Sequence, residues 1–244
     1  MFYSFSKEGD VLMTLRSSLF IFALVLSGCS ITQVATQGFS EIPDGARVAI
    51  VRPDIKYYRV TAGGVPEPAP DWTESARQKF DVALADYVAQ HGMDISSPKE
   101  EDIGDQLFEF TRLHSAVGTT IQTNHFGLTK MPTKRIGKTR DYRFDWSLGE
   151  GMSDLGLEAD YALFVYYRDY QASGGRVGMA ILAAALNVAL YVGHQGGFTS
   201  LVDLKTGKVV WYNNVAASAG DLRTDGGAKK IVGQLFEGLN PEQI

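Results

Sequence analysis

The stretch that most constrains the fold runs from Ala159 to Arg168. Between Tyr161 and Tyr167 it carries no charged side chain. An apolar run this short and this continuous fits a central β-strand buried on both faces. Such a strand needs covering layers on either side. It predicts an α/β (or α+β) fold, a mixed sheet flanked by helices.

The remaining segments fit around that strand. Ala46 to Arg52 is rich in β-branched residues and closes at Pro53, as a strand would. Ile55 to Val60 continues in extended form. Gly63 to Pro70 reads as a loop. Asp71, with Glu74 three residues on, has the form of a capping box. Trp72, Ala76, Phe80, Ala83, Leu84, Tyr87 and Val88 then repeat with a helical period, which His91-Gly92 ends. That aromatic stripe is core in character. Met93 to Ile95 is a short strand candidate and Glu100 to Val117 a second helix. Gly118 to Arg140 has no clear period, and Gly149 to Gly156 is a further helix candidate. Phe198 to Leu204 and Val209 to Tyr212 form a C-terminal β-hairpin about Lys205–Lys208, with Gly207 supplying a positive φ. Lys229 to Leu239 is a closing helix. No internal repeat is evident.

The N-terminus says where such a chain resides. Arg16 precedes an apolar run, Leu19 to Leu26, which leads into Leu26-Ser27-Gly28-Cys29. The pattern is that of a secretory signal peptide, and the run is too short to span a bilayer. Leu-Ser-Gly-Cys resembles the lipobox of bacterial lipoproteins. The resemblance implies that signal peptidase reads Leu26, Ser27 and Gly28, that the Cys29 thiol receives a diacylglycerol, and that the new amino terminus is acylated. Met1 and Met13 are alternative starts that leave the same mature chain from Cys29. The expected organisation is a signal peptide over 1–28, a tether over 29–41 and one α/β periplasmic domain over 42–244. Ser30 follows the cysteine. By the usual sorting rule, in which aspartate there retains a lipoprotein in the inner membrane, the expected site is the outer membrane, facing the periplasm.

Cys29 is the only cysteine. Neither a disulfide framework nor a thiolate metal site is available to the lipidated chain. The net charge is −5 with no basic run, which does not advertise nucleic-acid binding.

One segment is unusual. An apolar insertion spans about 174–197, and its centre, Met179 to Val192, is apolar except for Asn187 and Tyr191. It reads as one helix without a polar face. Such a helix is either buried on the sheet or in a self-association interface, or it touches a membrane. Met179, Ile181, Leu182, Leu186 and Leu190 are the candidate membrane or partner contacts. Part of the stripe is expected to stay exposed in a monomer, because the other helices compete for the sheet faces. A dinucleotide-binding glycine turn is disfavoured, since Gly174, Gly175 and Gly178 lack the G-x-G-x-x-G spacing.

No catalytic constellation stands out. The four histidines, His91, His114, His125 and His194, fall in different predicted elements. His91 ends a helix, and the others read as loop or surface residues. Glu100-Glu101-Asp102 reads as a solvated face, and Arg168-Asp169 as a surface ion pair. Neither metal nor cofactor is expected.

From Leu157 onward the chain resembles a recurring envelope pattern. Leu157 to Val165, a glycine-rich excursion, then Ser200 to Trp211, with Asp203, Thr206 and Gly207 in the turn, is similar to the curli-secretion-channel and penicillin-binding-protein-activator lipoproteins. It is also similar to the N-terminal domain of the Tol-Pal propeller protein. The run Phe144 to Gly149 resembles uncharacterised proteobacterial lipoproteins. These families imply a fold and no catalytic residue. The expected function is a lipid-anchored, non-enzymatic protein-interaction module with an envelope protein partner or self-association. A membrane-assembled secretion or pore component and a hydrolase with a scattered site are the alternatives. Cys29→Ser should leave a full-length precursor in the inner membrane, because serine cannot supply the thioether. Cleavage and lipid labelling of that variant, read on a gel, would overturn the lipobox reading.

Overall fold

The computed structural model describes residues 31–36, 43, 45–98, 104–218 and 220–239. The signal motif Leu26–Gly28 and the lipidation residue Cys29 lie outside these. Among the described residues there is one mixed sheet of eight strands: β1 (Ile31–Thr36), β2 (Val48–Ile50), β3 (Asp54–Val60), β4 (Pro66–Pro68), β5 (Ile95–Ser96), β6 (Tyr161–Ala172), β7 (Gln195–Asp203) and β8 (Val209–Ala217). Four α-helices of the described residues accompany it: α1 (Pro70–His91), α2 (Asp105–Ile121), α3 (Gly174–Ala185) and α4 (Asp225–Leu235).

The expected central strand is β6, and the sheet is built on it. The order is β1-β8-β7-β6-β2-β5, with β3 also on β6 and β4 on β3. On one side β6 runs antiparallel to β7. Its other edge is shared. Residues 161–163 pair in parallel with β2, and residues 166–172 pair in parallel with β3. Pro53 separates those two partners; it has no N–H to offer a ladder.

Successive side chains of β6 point to opposite faces. Leu163, Val165 and Tyr167 face α1 and α4, with Phe80, Trp211, Ile231 and Phe236. Ala162, Phe164 and Tyr166 face α2, with Leu107, Ile121, Phe198 and Tyr212. Both clusters are well buried, which is why the sequence of β6 does not alternate.

Several elements differ from expectation. The tether expected over 29–41 contains an edge strand: Ile31–Thr36 pairs antiparallel with β8, from Ile31 opposite Ala217 to Thr36 opposite Trp211. The β-branched residues Ile31, Thr32, Val34 and Thr36 favour that conformation, and an edge strand needs no continuous apolar run. The capping box at Asp71 does not form. Pro70 opens α1 behind Ala69, without a side-chain cap, and Glu74 accepts from Gln78 instead, at 3.0 Å. The helix expected at 149–156 is a four-residue 3₁₀ turn, Met152–Leu155, held between two left-handed glycines. The second helix runs later than expected, from Asp105 to Ile121.

The hairpin turn is as expected: Gly207 has φ 66°, and the Thr206 amide donates to the Asp203 carboxylate at 2.9 Å. The run Phe144–Gly149 closes this end of the sheet. The Leu148 amide donates to the Gly207 carbonyl and the Val209 amide to the Trp146 carbonyl.

α2 approaches the sheet through a glycine. A Cβ at Gly118 would lie 2.0 Å from the Phe198 ring, and the Gly118 carbonyl accepts from the Tyr212 hydroxyl at 2.9 Å. Phe198 is itself stacked on Tyr166 and Tyr212. In an exposed helix Gly→Ala gains about 1 kcal/mol. Here the added methyl has nowhere to go, and overpacking costs about 1–3 kcal/mol. Urea unfolding of Gly118→Ala should show a net loss of up to about 2 kcal/mol. A gain in stability would contradict the packing described.

Candidate functional site

The apolar insertion leaves the sheet where β6 ends. Ser173 caps α3, accepting from the Arg176 amide at 3.2 Å. The helix ends at Ala185, earlier than the expected Val192, because Asn187 adopts a left-handed φ of 59°. The Val188 and Asn187 amides bond back to the Ala183 and Ala184 carbonyls, a Schellman closure. Residues 188–194 then return irregularly to β7. Gly193, at φ 111°, is required there, since a Cβ would lie 1.8 Å from the Tyr170 carbonyl. Arg176 holds the insertion together: Nε donates to the Tyr191 carbonyl at 2.8 Å, and Nη1 to the Ala62 carbonyl at 3.4 Å.

No residue of α3 is buried. Of the readings open for this helix, burial against the sheet therefore does not hold. β7 fills one edge of β6 and β2 and β3 share the other, and the faces are taken by α1, α4 and α2. Met179, Ile181, Leu182 and Leu186 are all exposed, Ile181 at 67% and Leu186 at 78%. Leu190 is half-buried. Half of the large hydrophobic side chains exposed among the described residues fall between Val177 and Val192.

The return strand joins this insertion to a cleft of about 450 Å³ over the α2 face of the sheet, lined by Gln33, Gln122, Tyr166, Arg168, Tyr170, His194 and Asn214 among others. One wall is a ladder of rings. Tyr58 stacks on Tyr170 at 4.7 Å and Tyr170 on His194 at 4.9 Å. His194 Nδ1 is 2.6 Å from the Tyr191 hydroxyl. Arg168 lies over Tyr166, 3.9 Å from its centroid. Its Nη2 meets Asp54 Oδ2 at 2.5 Å, and its Nη1 donates to the Asp54 carbonyl at 2.5 Å. Burial alone would raise the Asp54 pKa, but the hydrogen bond and charge of Arg168 hold it below the usual carboxylate value.

Arg168 and Asp169 are thus not a surface pair. Adjacent on a strand, they point to opposite faces. Asp169 is buried on the α1 face, where Gln171 donates to it at 3.2 Å. Burial lifts its pKa to about 6, against hydrogen bonds from Gln171 and Tyr57.

His91 ends α1, as expected. His114 is not a surface residue. It sits on the inner face of α2, with Nε2 2.9 Å from Ser200 Oγ. A serine–histidine pair is the chemistry of a hydrolase, but both residues are enclosed, 1% and 0% exposed, against Phe164 and Phe198. Burial holds the His114 pKa down to about 3. No substrate could reach this pair in the closed fold. Among the described residues no group of three or more His, Cys, Asp or Glu is placed to hold a metal ion, and no helix is long and apolar enough to cross a membrane.

The sequence singled out four of the insertion's exposed residues and missed the cleft. Its signal was Tyr166, Arg168 and Tyr170 at alternate positions of β6, which a reading of that strand as wholly apolar core passed over. No family model matches the chain, nor does any curated protein. Among solved structures, it is similar to a PelC dodecamer from Paraburkholderia phytofirmans (12% identity, TM-score 0.38, covering 88% of this chain and 98% of that one). A second PelC dodecamer from that organism gives 12% identity and a TM-score of 0.40, covering 88% and 99%. A DUF4136 family protein from Bacteroides thetaiotaomicron gives 8% and 0.34, covering 88% and 98%. Likeness at this level carries no functional argument.

The two buried titratable groups oppose each other in pH dependence. Between about pH 4 and 6 the unfolded chain has His114 protonated and Asp169 ionised, and the folded chain has the reverse. His114 therefore makes stability rise with pH in this window, and Asp169 makes it fall, each by about 1.4 kcal/mol per pH unit. Denaturant titrations should show a more negative slope against pH for His114→Gln and a more positive one for Asp169→Asn. Unchanged slopes in both variants would contradict the burial of these groups.

Proposed function

We propose that this chain is a lipid-anchored cell-envelope protein that works as a non-enzymatic interaction module, with segment 174–192 as its contact element. The observation that carries the reading is the bare apolar helix α3. Burying a leucine side chain is worth about 1.5–3 kcal/mol, so a contiguous uncovered stripe of this kind favours contact with another envelope component. The polar groups nearby support binding over catalysis: Arg168 is tied to Asp54, His194 to Tyr191, and the His114–Ser200 pair is enclosed. Attachment through Cys29 supplies the compartment, and Ser30 favours the outer membrane.

Incorporating a photo-crosslinking amino acid at position 182 or 186 in cells tests this. Covalent adducts with envelope components are expected at both positions, at least fivefold above those at Val82, an exposed residue of α1. Equal, background-level crosslinking at all three positions would remove the segment from the account.

A further inference from the structure

The strand register places the apolar segment and Ile31, two residues after the lipidation residue, at one end of the sheet. Ile31 lies opposite Ala217 on β8. Val215 of β8 lies opposite Gly197 of β7, and Gln195 of β7 lies opposite Asp169 of β6. The start of β1, the end of β6 and the start of β7 therefore lie at one end of the sheet, and both junctions of segment 174–194 belong to it. β1 and β7 are two strand spacings apart, about 10 Å. Cys29 precedes Ile31 by two residues, a reach of at most about 7 Å. The hairpin turn Lys205–Lys208 lies at the opposite end.

Two further features belong to the same end. Ile31 and Val65 are exposed there, Val65 in the β3–β4 turn that Arg176 bonds through Ala62. From Val177 to Val192 the segment carries no charge. At twelve residues α3 is about 18 Å long, too short to span a bilayer and long enough to lie within its surface.

We propose that the component contacted by segment 174–192 is the bilayer itself: α3 and residues 186–192 lie in the interface of the leaflet that holds the lipid on Cys29, and the sheet stands end-on with Lys205–Lys208 pointing away. The inference rests on the lipid-anchored, interaction-module reading above. The acyl chains alone keep the protein on the membrane but leave its stance free. A second contact on so short a connection is intramolecular and needs little intrinsic affinity. Segment 174–192 fixes the stance.

The test uses the mature lipidated protein in phosphatidylethanolamine–phosphatidylglycerol vesicles containing brominated acyl chains. Lipidation consumes the thiol of Cys29, so Leu182→Cys and Lys205→Cys each offer one site for an environment-sensitive fluorophore. Lipid attachment is first read by mass. The label at position 182 should lose at least half its emission to the brominated chains, and the label at 205 none. Adding Leu186→Glu should reduce the quenching at 182 severalfold without altering thermal unfolding. Equal emission from both labels on a lipidated protein would overturn the membrane contact and leave the interaction-module reading standing, as would crosslinks from position 182 that go to a protein and not to lipid. A chain without lipid on Cys29 would overturn the proposal together with the reading beneath it.

Discussion

Everything in this molecule depends on β6 being buried on both faces while holding partners on both edges. Its first residues pair with β2 and its later ones with β3, and Pro53 marks the handover. Because its faces must be covered, α1 and α4 close one side and α2 the other. Because its edges are taken, the segment that follows it has no place in the sheet or on it. The exposure of α3 is a consequence of how completely β6 is used.

The sheet is thereby given two unlike ends. At one, the hairpin turn is locked by the Phe144–Gly149 run. At the other, β6 carries polar groups to both faces in alternation. Arg168 meets Asp54 on the α2 side. Asp169 lies against Tyr57 and Gln171 on the α1 side. Buried charge of this kind is costly unless partnered, and here Arg168 is partnered while Asp169 sits under a raised pKa. These groups anchor the base from which the apolar insertion departs.

Much of the fold was legible in the sequence, because its signals are local. The apolar run of β6, the stripe of α1 and the turn chemistry of Asp203, Thr206 and Gly207 each act within a few residues. What was not legible depended on pairing across the chain. β1 is a strand only because β8 offers it an edge 180 residues away. The His114–Ser200 contact and the Arg168–Asp54 pair join residues whose spacing carries no information. The helix in the insertion was foreseen too long, since Asn187 reads as one polar residue in an apolar run until its left-handed φ ends the helix. That part of its stripe would stay bare followed from counting the sheet faces available; that no residue of α3 is buried did not.

The central claim is that segment 174–192 is uncovered in the free domain and covered on a membrane. A helix of twelve residues without buried side chains is marginal on its own, so its amides should exchange quickly with solvent while those of β6 remain protected. Amide hydrogen exchange compares the lipidated protein in vesicles with the same chain begun at Ser30 in solution. The account predicts marked slowing confined to residues 176–192 on the vesicle, with β6 unchanged. Equal exchange of that segment in the two states would contradict it.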